Sequence, residues 1–354
     1  METYVVSALR YRPQSFKEVV GQKAITQTLE NAIDQNQLAQ ALLFCGPRGV
    51  GKTSCARILA KKINSQGDEN PKEDFAFNIF ELDAASNNSV DDIRSLNEKA
   101  RIPPQVGTHK IYIIDEVHML SIGAFNAFLK TLEEPPKHVI FILATTEKQK
   151  IIPTILSRCQ IFDFKRISVI DCRRHLQKIA QDQGLVFEEE ALDLIAQKAD
   201  GAMRDALSIY DRMVSYTDRN LTAKSVSENL NIIDHETFIS ITKLILQNDI
   251  PNLLVTFDDL LKKGFDELQF IIGLGSHFRD LMISKENKTI HLLEVSQGSK
   301  EKYIKQTSKA PISLLLKGID LTSKCELDYR NTKNKRLLIE LCLMQMASLH
   351  LKEK

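Results

Sequence analysis

Between Gly46 and Thr53 the chain reads Gly-Pro-Arg-Gly-Val-Gly-Lys-Thr. This is the spacing G-x-x-x-x-G-K-[ST], and the chemistry it serves is the holding of phosphates. Glycines let a backbone curl until successive N–H groups face an anion. A helix that opens at the lysine adds the positive end of its dipole. Lys52 can then reach the β- and γ-phosphates, and the Thr53 hydroxyl can hold Mg2+. Gly46, Pro47, Arg48, Gly49, Val50, Gly51 and Ser54 complete the candidate nucleotide-binding stretch. A chance glycine-rich turn would need no particular flanks. Here the apolar run Leu42-Leu43-Phe44-Cys45 stands before the loop, and a helix-compatible stretch from Ser54 to Ile63 follows it.

A second chemical element is Asp115-Glu116, which closes the β-branched run Ile111-Tyr112-Ile113-Ile114. Such a pair alone is commonly a solvated strand end. Downstream of a phosphate loop it has a task. Asp115 is placed to bind Mg2+ through water or Thr53, and Glu116 to orient and polarise a water for attack on a γ-phosphate. His118 could serve as a base, but Glu116 already fills the water-orienting position, so a local structural role is expected for it. There is no Asn-Lys-x-Asp to read guanine. A small-molecule kinase would not need the long helical final third.

These residues need elements to position them. Phe77–Leu82 alternates like a strand, and Val139–Ala144 is apolar throughout before Thr145-Thr146. Fully apolar strand runs fit a parallel sheet buried on both faces. Ser89 can cap a helix with Asp91 and Asp92 in its first turn. Another helix runs from about Ser121 to Glu134, where Pro135-Pro136 stops it. The pattern is α/β and doubly wound. After about Lys165 the strand signal fades. Helical patterns cover 168–183, 188–199, 203–216 and 222–230, with turns at Gly184, Gly201 and Asn220. From about Ile232 the chain reads as helical to its end. Boundaries near 165 and 234 give segments 1–165, 166–233 and 234–354.

Composition sets the outer limits. At roughly 150 residues per domain, 354 residues make two to three domains. With 43% hydrophobic and 26% charged residues, disorder, collagen and a small disulfide scaffold are excluded. The formal net charge is only +1, which argues against a uniformly basic nucleic-acid binder. That total hides +5 over residues 1–62, −6 over 64–100 and +6 over 285–336. Cys45, Cys55, Cys159, Cys172, Cys325 and Cys342 form no C-x-x-C pair, so reduced, mostly buried thiols are expected. Trp is absent and aromatics are 6%, so base-stacking platforms would not dominate a DNA contact. No run approaches the roughly 18 apolar residues of a membrane span, and no signal pattern opens the chain. A cytoplasmic chain with no membrane partner is expected.

Further motifs carry a resemblance. Tyr11-Arg12-Pro13 precedes Phe16 and Val19-Val20-Gly21-Gln22. Asp115-Glu116-Val117-His118-Met119-Leu120 is followed by Leu129-Lys130-Thr131-Leu132-Glu133-Glu134-Pro135-Pro136. Ser157-Arg158-Cys159 follows Ala144-Thr145-Thr146, and Gly201-Ala202-Met203-Arg204-Asp205-Ala206-Leu207-Ser208 comes later. Together, over about residues 8–210, these resemble the bacterial DNA polymerase III gamma/tau family of clamp-loader ATPases. The remainder resembles it only as a helical tail of the right length.

The resemblance implies an AAA+ module over 1–165, a helical lid over 166–233 and a helical collar over 234–354. It implies an ATP- and Mg2+-dependent motor at replication forks that opens a sliding clamp and places it on primer–template DNA. The implied pentamer holds delta-like, delta-prime-like and further gamma copies. Tyr11, Arg12, Pro13, Val19 and Val20 would lie near the adenine. Thr145 resembles the polar sensor, and Arg204 the lid's sensor arginine reaching γ-phosphate in the same subunit. Arg158 resembles the arginine finger that reaches a neighbour's ATP, although a surface salt bridge is the default for an arbitrary arginine. For DNA phosphates the candidates are Asn88, Ser89, Arg94 and Ser121, against ordinary capping.

The chain also departs from the family. Most relatives carry four zinc-binding cysteines after the phosphate-loop helix. Here residues 64–78 have none and read as an acidic loop with Asp68-Glu69 and Glu73-Asp74, so no structural zinc is expected. Longer relatives add C-terminal domains for the polymerase core and the helicase. By ending after the expected collar, this chain resembles the short gamma form. No nucleotidyl-transfer site is expected in it. Two alternatives stand beside the motor: a non-catalytic loader subunit, which would lack a competent phosphate loop, and another AAA+ DNA-remodelling ATPase. Near-neutral charge suits a chain that grips DNA as part of an assembly, through oriented backbone dipoles. The isolated subunit should therefore bind duplex DNA no more tightly than about 10⁻⁶ M in fluorescence anisotropy at physiological salt. Tight, salt-sensitive binding by the isolated chain would contradict this.

Overall fold

The computed structural model describes residues 5–65, 75–105, 107–231, 233–286, 288–293, 295 and 297–349. The chain divides into two compact units. One runs to Cys172 and includes Ala199–Ile209; the other holds Arg173–Lys198 and the chain from Tyr210 onward.

The first unit is built on five parallel strands: β1 (Ala41–Cys45), β2 (Ile79–Asp83), β3 (Lys110–Asp115), β4 (Val139–Thr145) and β5 (Gln160–Asp163). Their order is β2-β3-β4-β1-β5. Every residue of β1 and β4 is buried, as their apolar runs require. Side chains alternate between two cores. Leu42 and Phe44 join one with Ile111, Ile113, Ile140 and Ile142. Leu43 and Cys45 join the other with Tyr112, Ile114, Phe141 and Leu143. Helices Lys52–Asn64, Val90–Arg101 and Ile122–Glu133 make the crossovers between successive strands. The register pairs Cys45 with Thr145 and Asp83 with Asp115. The carboxyl ends of β1, β3 and β4 therefore lie side by side.

Three details differ from the sequence pattern. Phe77 and Asn78 lie in a 3-10 turn, and β2 starts only at Ile79. Phe77 is exposed, so its alternation with Ile79 was not a strand signal. β5 was not anticipated, because Gln160 and Asp163 interrupt any apolar run and only Phe162 is buried. A short parallel pair, β6 (Val186–Phe187) with β7 (Asn220–Leu221), lies where only helices were expected. Asn220 is thus a strand residue; the turn falls just before it, where Asp218 and Arg219 take positive φ.

Helices Val169–Asp182, Glu189–Lys198, Met203–Tyr216 and Ala223–Leu230 fall within the expected segments. The second unit then continues through His235–Leu246, Ile250–Lys262, Glu267–Ile283, Gln297–Thr307, Ile312–Tyr329 and Lys335–Ala347 around one core. Two glycines let Glu267–Ile283 and Ile312–Tyr329 approach closely. A Cβ on Gly318 would lie 2.7 Å from the Phe278 ring, and one on Gly275 2.8 Å from Thr322 Oγ1. No helix of the described residues is long and apolar enough to cross a membrane.

A polar chain runs through this core. Gln306 Nε2 donates to Ile239 O at 2.7 Å, which turns its amide oxygen toward His277 Nε2 at 3.2 Å. His277 Nε2 therefore carries the hydrogen and Nδ1 accepts from the Tyr303 hydroxyl at 3.1 Å. The same hydroxyl oxygen lies 3.0 Å from His235 Nδ1 and accepts from it. Burial above all, with His235 adding to it, pushes the His277 pKa down to about 3. A group whose folded pKa is depressed below its unfolded value of about 6.5 stays neutral in the fold while the unfolded chain takes up a proton. Stability is unaffected above that value and falls as the pH drops below it. Moving from pH 7 to pH 5 should cost about 2 kcal/mol through His277. Urea unfolding at both pH values should show this drop shrinking in His277→Gln.

Candidate active site

The loop after β1 turns on three glycines with positive φ: Gly46 at 145°, Gly49 at 77° and Gly51 at 102°. Gly51 is the N-cap of the Lys52–Asn64 helix and supplies no side-chain cap. The first amide to bond back is Cys55 N, to Gly51 O at 2.8 Å. The N–H groups of Lys52, Thr53 and Ser54 are therefore first-turn donors without an intrahelical acceptor. A helix start left bare in this way fits a phosphate. Val50 is buried, Arg48 is exposed, and Pro47 is half-buried.

Lys52 is only 6% exposed. Its Nζ donates to Gly46 O at 2.7 Å and Pro47 O at 2.8 Å. Burial lowers its pKa, while the Glu116 and then the Asp115 carboxylate oppose that shift. Thr53 Oγ1 donates to Asp115 Oδ2 at 2.7 Å. A hydroxyl and a carboxylate are hard oxygen ligands, so this pair fits Mg2+. Asp115 Oδ1 also accepts from Glu116 N at 3.0 Å.

Glu116 sits in the left-handed region at φ 47° and ψ 44°. For a residue with a Cβ that conformation costs roughly 1–2 kcal/mol, a cost tolerated where the surroundings fix it. Its Oε2 accepts from Thr146 N at 3.2 Å and Thr146 Oγ1 at 2.9 Å. The sequence alone does not separate Thr145 from Thr146 as the polar sensor; Thr146 is the threonine that grips Glu116. Thr145 is fully buried; its Oγ1 accepts from Glu147 N at 3.0 Å and lies 3.0 Å from His118 Nδ1. A Thr-Thr pair at a strand end announces both residues, but only the sheet register separates their tasks.

The N-terminal motif is held close. Val19 Cγ1 lies 3.7 Å from where a Gly51 Cβ would stand. Tyr11, Arg12, Pro13 and Val20 are half-buried. Burial lowers the Arg12 pKa, and Arg57 and Arg204 add to this while Glu81 opposes it. Gln22, not among the expected site residues, clamps both backbone groups of Lys165, donating to its oxygen at 2.7 Å and accepting from its nitrogen at 3.2 Å. Arg204 is exposed, but its backbone N donates to Gly49 O at 3.4 Å. A Cβ on Gly49 would come within 3.0 Å of Ala202 Cβ, so this glycine lets the Gly201–Leu207 stretch lie on the loop.

Arg158 makes the salt bridge weighed for it: Nη2 is 2.5 Å from Glu133 Oε1, and Nη1 donates to Thr154 O and Ser157 Oγ. The DNA candidates do gather. Ser121 N donates to Asn88 O at 3.2 Å, joining two helix starts. Ser89 forms a capping box with Asp92, and Ser121 caps the next helix through Ala124 N. Arg94 pairs with Asp91 at 3.2 Å. Both serine hydroxyls are therefore engaged in capping. The acidic stretch Asp68-Glu69 and Glu73-Asp74, and with it the expectation about zinc, lies outside the described residues.

Comparison with known proteins places the chain in a family. The family model described as DNA polymerase III, delta subunit matches residues 21–168. The model for the DNA polymerase III clamp loader subunit, ATPase lid domain, matches 171–219. The DNA polymerase III subunit gamma of Buchnera aphidicola subsp. Schizaphis graminum is 33% identical, covering 97% of this chain and 98% of that one. Subunit tau of Bacillus subtilis is 40% identical over 95% of this chain and 62% of its own length. Subunit tau of Escherichia coli is 37% identical over 79% of this chain and 46% of its own. The chain thus spans about half to three-fifths of these tau relatives' length. Among solved structures, the Thermotoga maritima RuvB Holliday junction branch migration motor aligns with a TM-score of 0.51 at 20% identity, covering 72% of this chain and 89% of that one. That likeness concerns the fold. Sheet order, phosphate loop and acidic strand end define a P-loop ATPase fold of the AAA+ class. More narrowly, the chain belongs to the DNA polymerase III gamma/tau family of clamp-loader subunits.

The loop geometry generates a test of its own. A Cβ on Gly46 would stand 2.4 Å from Phe164 O, in a backbone conformation that side chains rarely adopt. Gly46→Ala should lower unfolding stability by about 2–3 kcal/mol in urea. A loss under about 0.5 kcal/mol, the scale of a bland surface change, would show the loop is not held as described.

Proposed function

We propose that this chain is an ATP-hydrolysing motor subunit of a clamp loader, acting in DNA replication to place a sliding clamp on primed DNA. The observation that carries the reading is the 2.7 Å approach of Thr53 Oγ1 and Asp115 Oδ2, with Glu116 next in sequence. In this reading ATP is the substrate whose bond between the γ-phosphorus and the β–γ bridging oxygen breaks, and a bound Mg2+ would supply positive charge beside it. Thr53 and Asp115 would hold the metal. The first-turn N–H groups and Lys52 hold the phosphates, and an ammonium has three donors, of which two go to Gly46 O and Pro47 O. Glu116 orients the water and takes its proton as the oxygen attacks phosphorus. The electron pair of the broken bond leaves on the β-phosphate oxygen.

Arg204 is assigned to γ-phosphate in the same subunit, which its place against Gly49 supports. Arg158 is assigned to the neighbour's ATP. Its guanidinium donates one charge-assisted hydrogen bond, from Nη2 to the Glu133 carboxylate, a contact that an anionic phosphate oxygen would also accept. A finger supplied in trans makes hydrolysis depend on assembly. We assign residues 1–165 to the ATPase module, 166–233 to the lid and 234–354 to the collar. The implied partners are further loader subunits, the clamp and primer–template DNA, in the cytoplasm. Asn88, Ser89, Arg94 and Ser121 remain the proposed DNA-facing set, through helix N-termini more than through their capped hydroxyls.

In a reconstituted loader, Lys52→Ala should abolish DNA- and clamp-stimulated phosphate release. Arg158→Ala should bind ATP normally yet lower its neighbour's hydrolysis by about 10³-fold or more. Hydrolysis that survives Lys52→Ala refutes the site; loss of nucleotide binding in Arg158→Ala refutes the trans role.

A further inference from the structure

The proposed hydrolysis gives His118 no task, yet its side chain is only 6% exposed and is enclosed by polar groups of the site. Its Nδ1 lies 3.0 Å from Thr145 Oγ1 and 3.4 Å from Glu116 Oε2. Its Nε2 lies 3.3 Å from Glu147 Oε1, a carboxylate that also accepts from Lys150 Nζ at 2.8 Å. Glu147 N donates to Thr145 Oγ1 at 3.0 Å.

These contacts assign the hydrogens. Both ring nitrogens face a carboxylate, but Nδ1 also meets the Thr145 hydroxyl, whose oxygen already takes the Glu147 N–H and whose hydrogen needs an acceptor; this assigns the ring hydrogen to Nε2, on the side of Glu147. In the neutral ring Nδ1 is then a lone pair. It accepts the hydrogen of Thr145, whose oxygen accepts from Glu147 N. These contacts close into a ring that starts and ends on Glu147. Glu116 Oε2 faces the Nδ1 lone pair and gains no hydrogen from it. Its donors are the N–H and hydroxyl of Thr146.

Thr145 and Glu116 thus crowd the same nitrogen, and His118 draws the Thr145 hydrogen to itself. We propose that His118 is a positioning residue: by holding the Thr145 hydroxyl it leaves Thr146 as the threonine that orients the Glu116 carboxylate. Without the ring nitrogens the Thr145 hydroxyl is free to turn to Glu116, and the carboxylate loses its single orientation. The inference rests on the assignment of Glu116 as the water-orienting residue.

The test has two arms. In the full chain without nucleotide, ring-labelled histidine NMR should show His118 as the Nε2–H tautomer at neutral pH, its signals assigned by their loss in His118→Gln. The Nδ1–H tautomer overturns the inference. In the reconstituted loader, His118→Phe keeps the ring's bulk but not its nitrogens. It should bind ATP within about twofold of the parent and hydrolyse it about 10- to 100-fold more slowly, the scale of a misplaced reacting group. His118→Gln restores an acceptor for Thr145 and a donor for Glu147, so it should recover most of that loss. A role in packing alone predicts the reverse order of the two variants. His118→Phe at the parent's rate, with Glu116→Gln inactive, overturns the positioning role. Undiminished hydrolysis in Glu116→Gln overturns the reading beneath it and the inference with it.

Discussion

The bond from Thr53 Oγ1 to Asp115 Oδ2 joins residues 62 positions apart. It is available because β4 lies between β1 and β3, and all three run in the same direction. In that arrangement the loop leaving β1 and the acidic end of β3 open on the same edge. Antiparallel pairing would put Asp115 at the far end of the sheet. The parallel pairing in turn depends on burial of both faces, which the alternation of Leu42 and Phe44 against Leu43 and Cys45 provides. The site's polar geometry thus hangs on a hydrophobic core.

Around that edge the protein holds several groups in places that cost free energy. Lys52 is buried, and Glu116 carries a left-handed backbone. Neither is sustained by one contact. Lys52 is held by two loop carbonyls and two nearby carboxylates. Glu116 is held by its own N–H to Asp115 and by Thr146. Fixed dipoles and charges of this kind need little rearrangement when charge moves in a reaction. The structure around the loop serves the same end: Gly49 lets Ala202 come close, and Gln22 ties Lys165 to the same unit.

Much of this was legible in the sequence. The central strands are continuous apolar runs, and the helices carry their own stops and caps. Ser89 with Asp92 and Pro135 after Glu133 mark ends by local chemistry alone. The phosphate loop and acidic pair were readable because their spacing is short. What was missed depends on contacts between distant segments. β5 borrows its strand character from the edge of β1, through pairs such as Phe44 with Phe162. The two-residue β6 and β7 are too short to show any period. The grip of Thr146 on Glu116 spans 30 residues, and that of Gln22 on Lys165 spans 143. The charge pattern was similarly incomplete. Arg57 reads as part of a basic stretch, yet it is forked onto Glu81 from the acidic one.

In the proposed site, β1 and β3 together hold one metal and its phosphates. The most direct test is ATP affinity with and without Mg2+, in the parent chain and in Asp115→Asn. Mg2+ should tighten ATP binding in the parent, and most of this gain should be lost in Asp115→Asn. An equal gain from Mg2+ in both proteins would show that Asp115 does not hold the metal, and would contradict the proposed site.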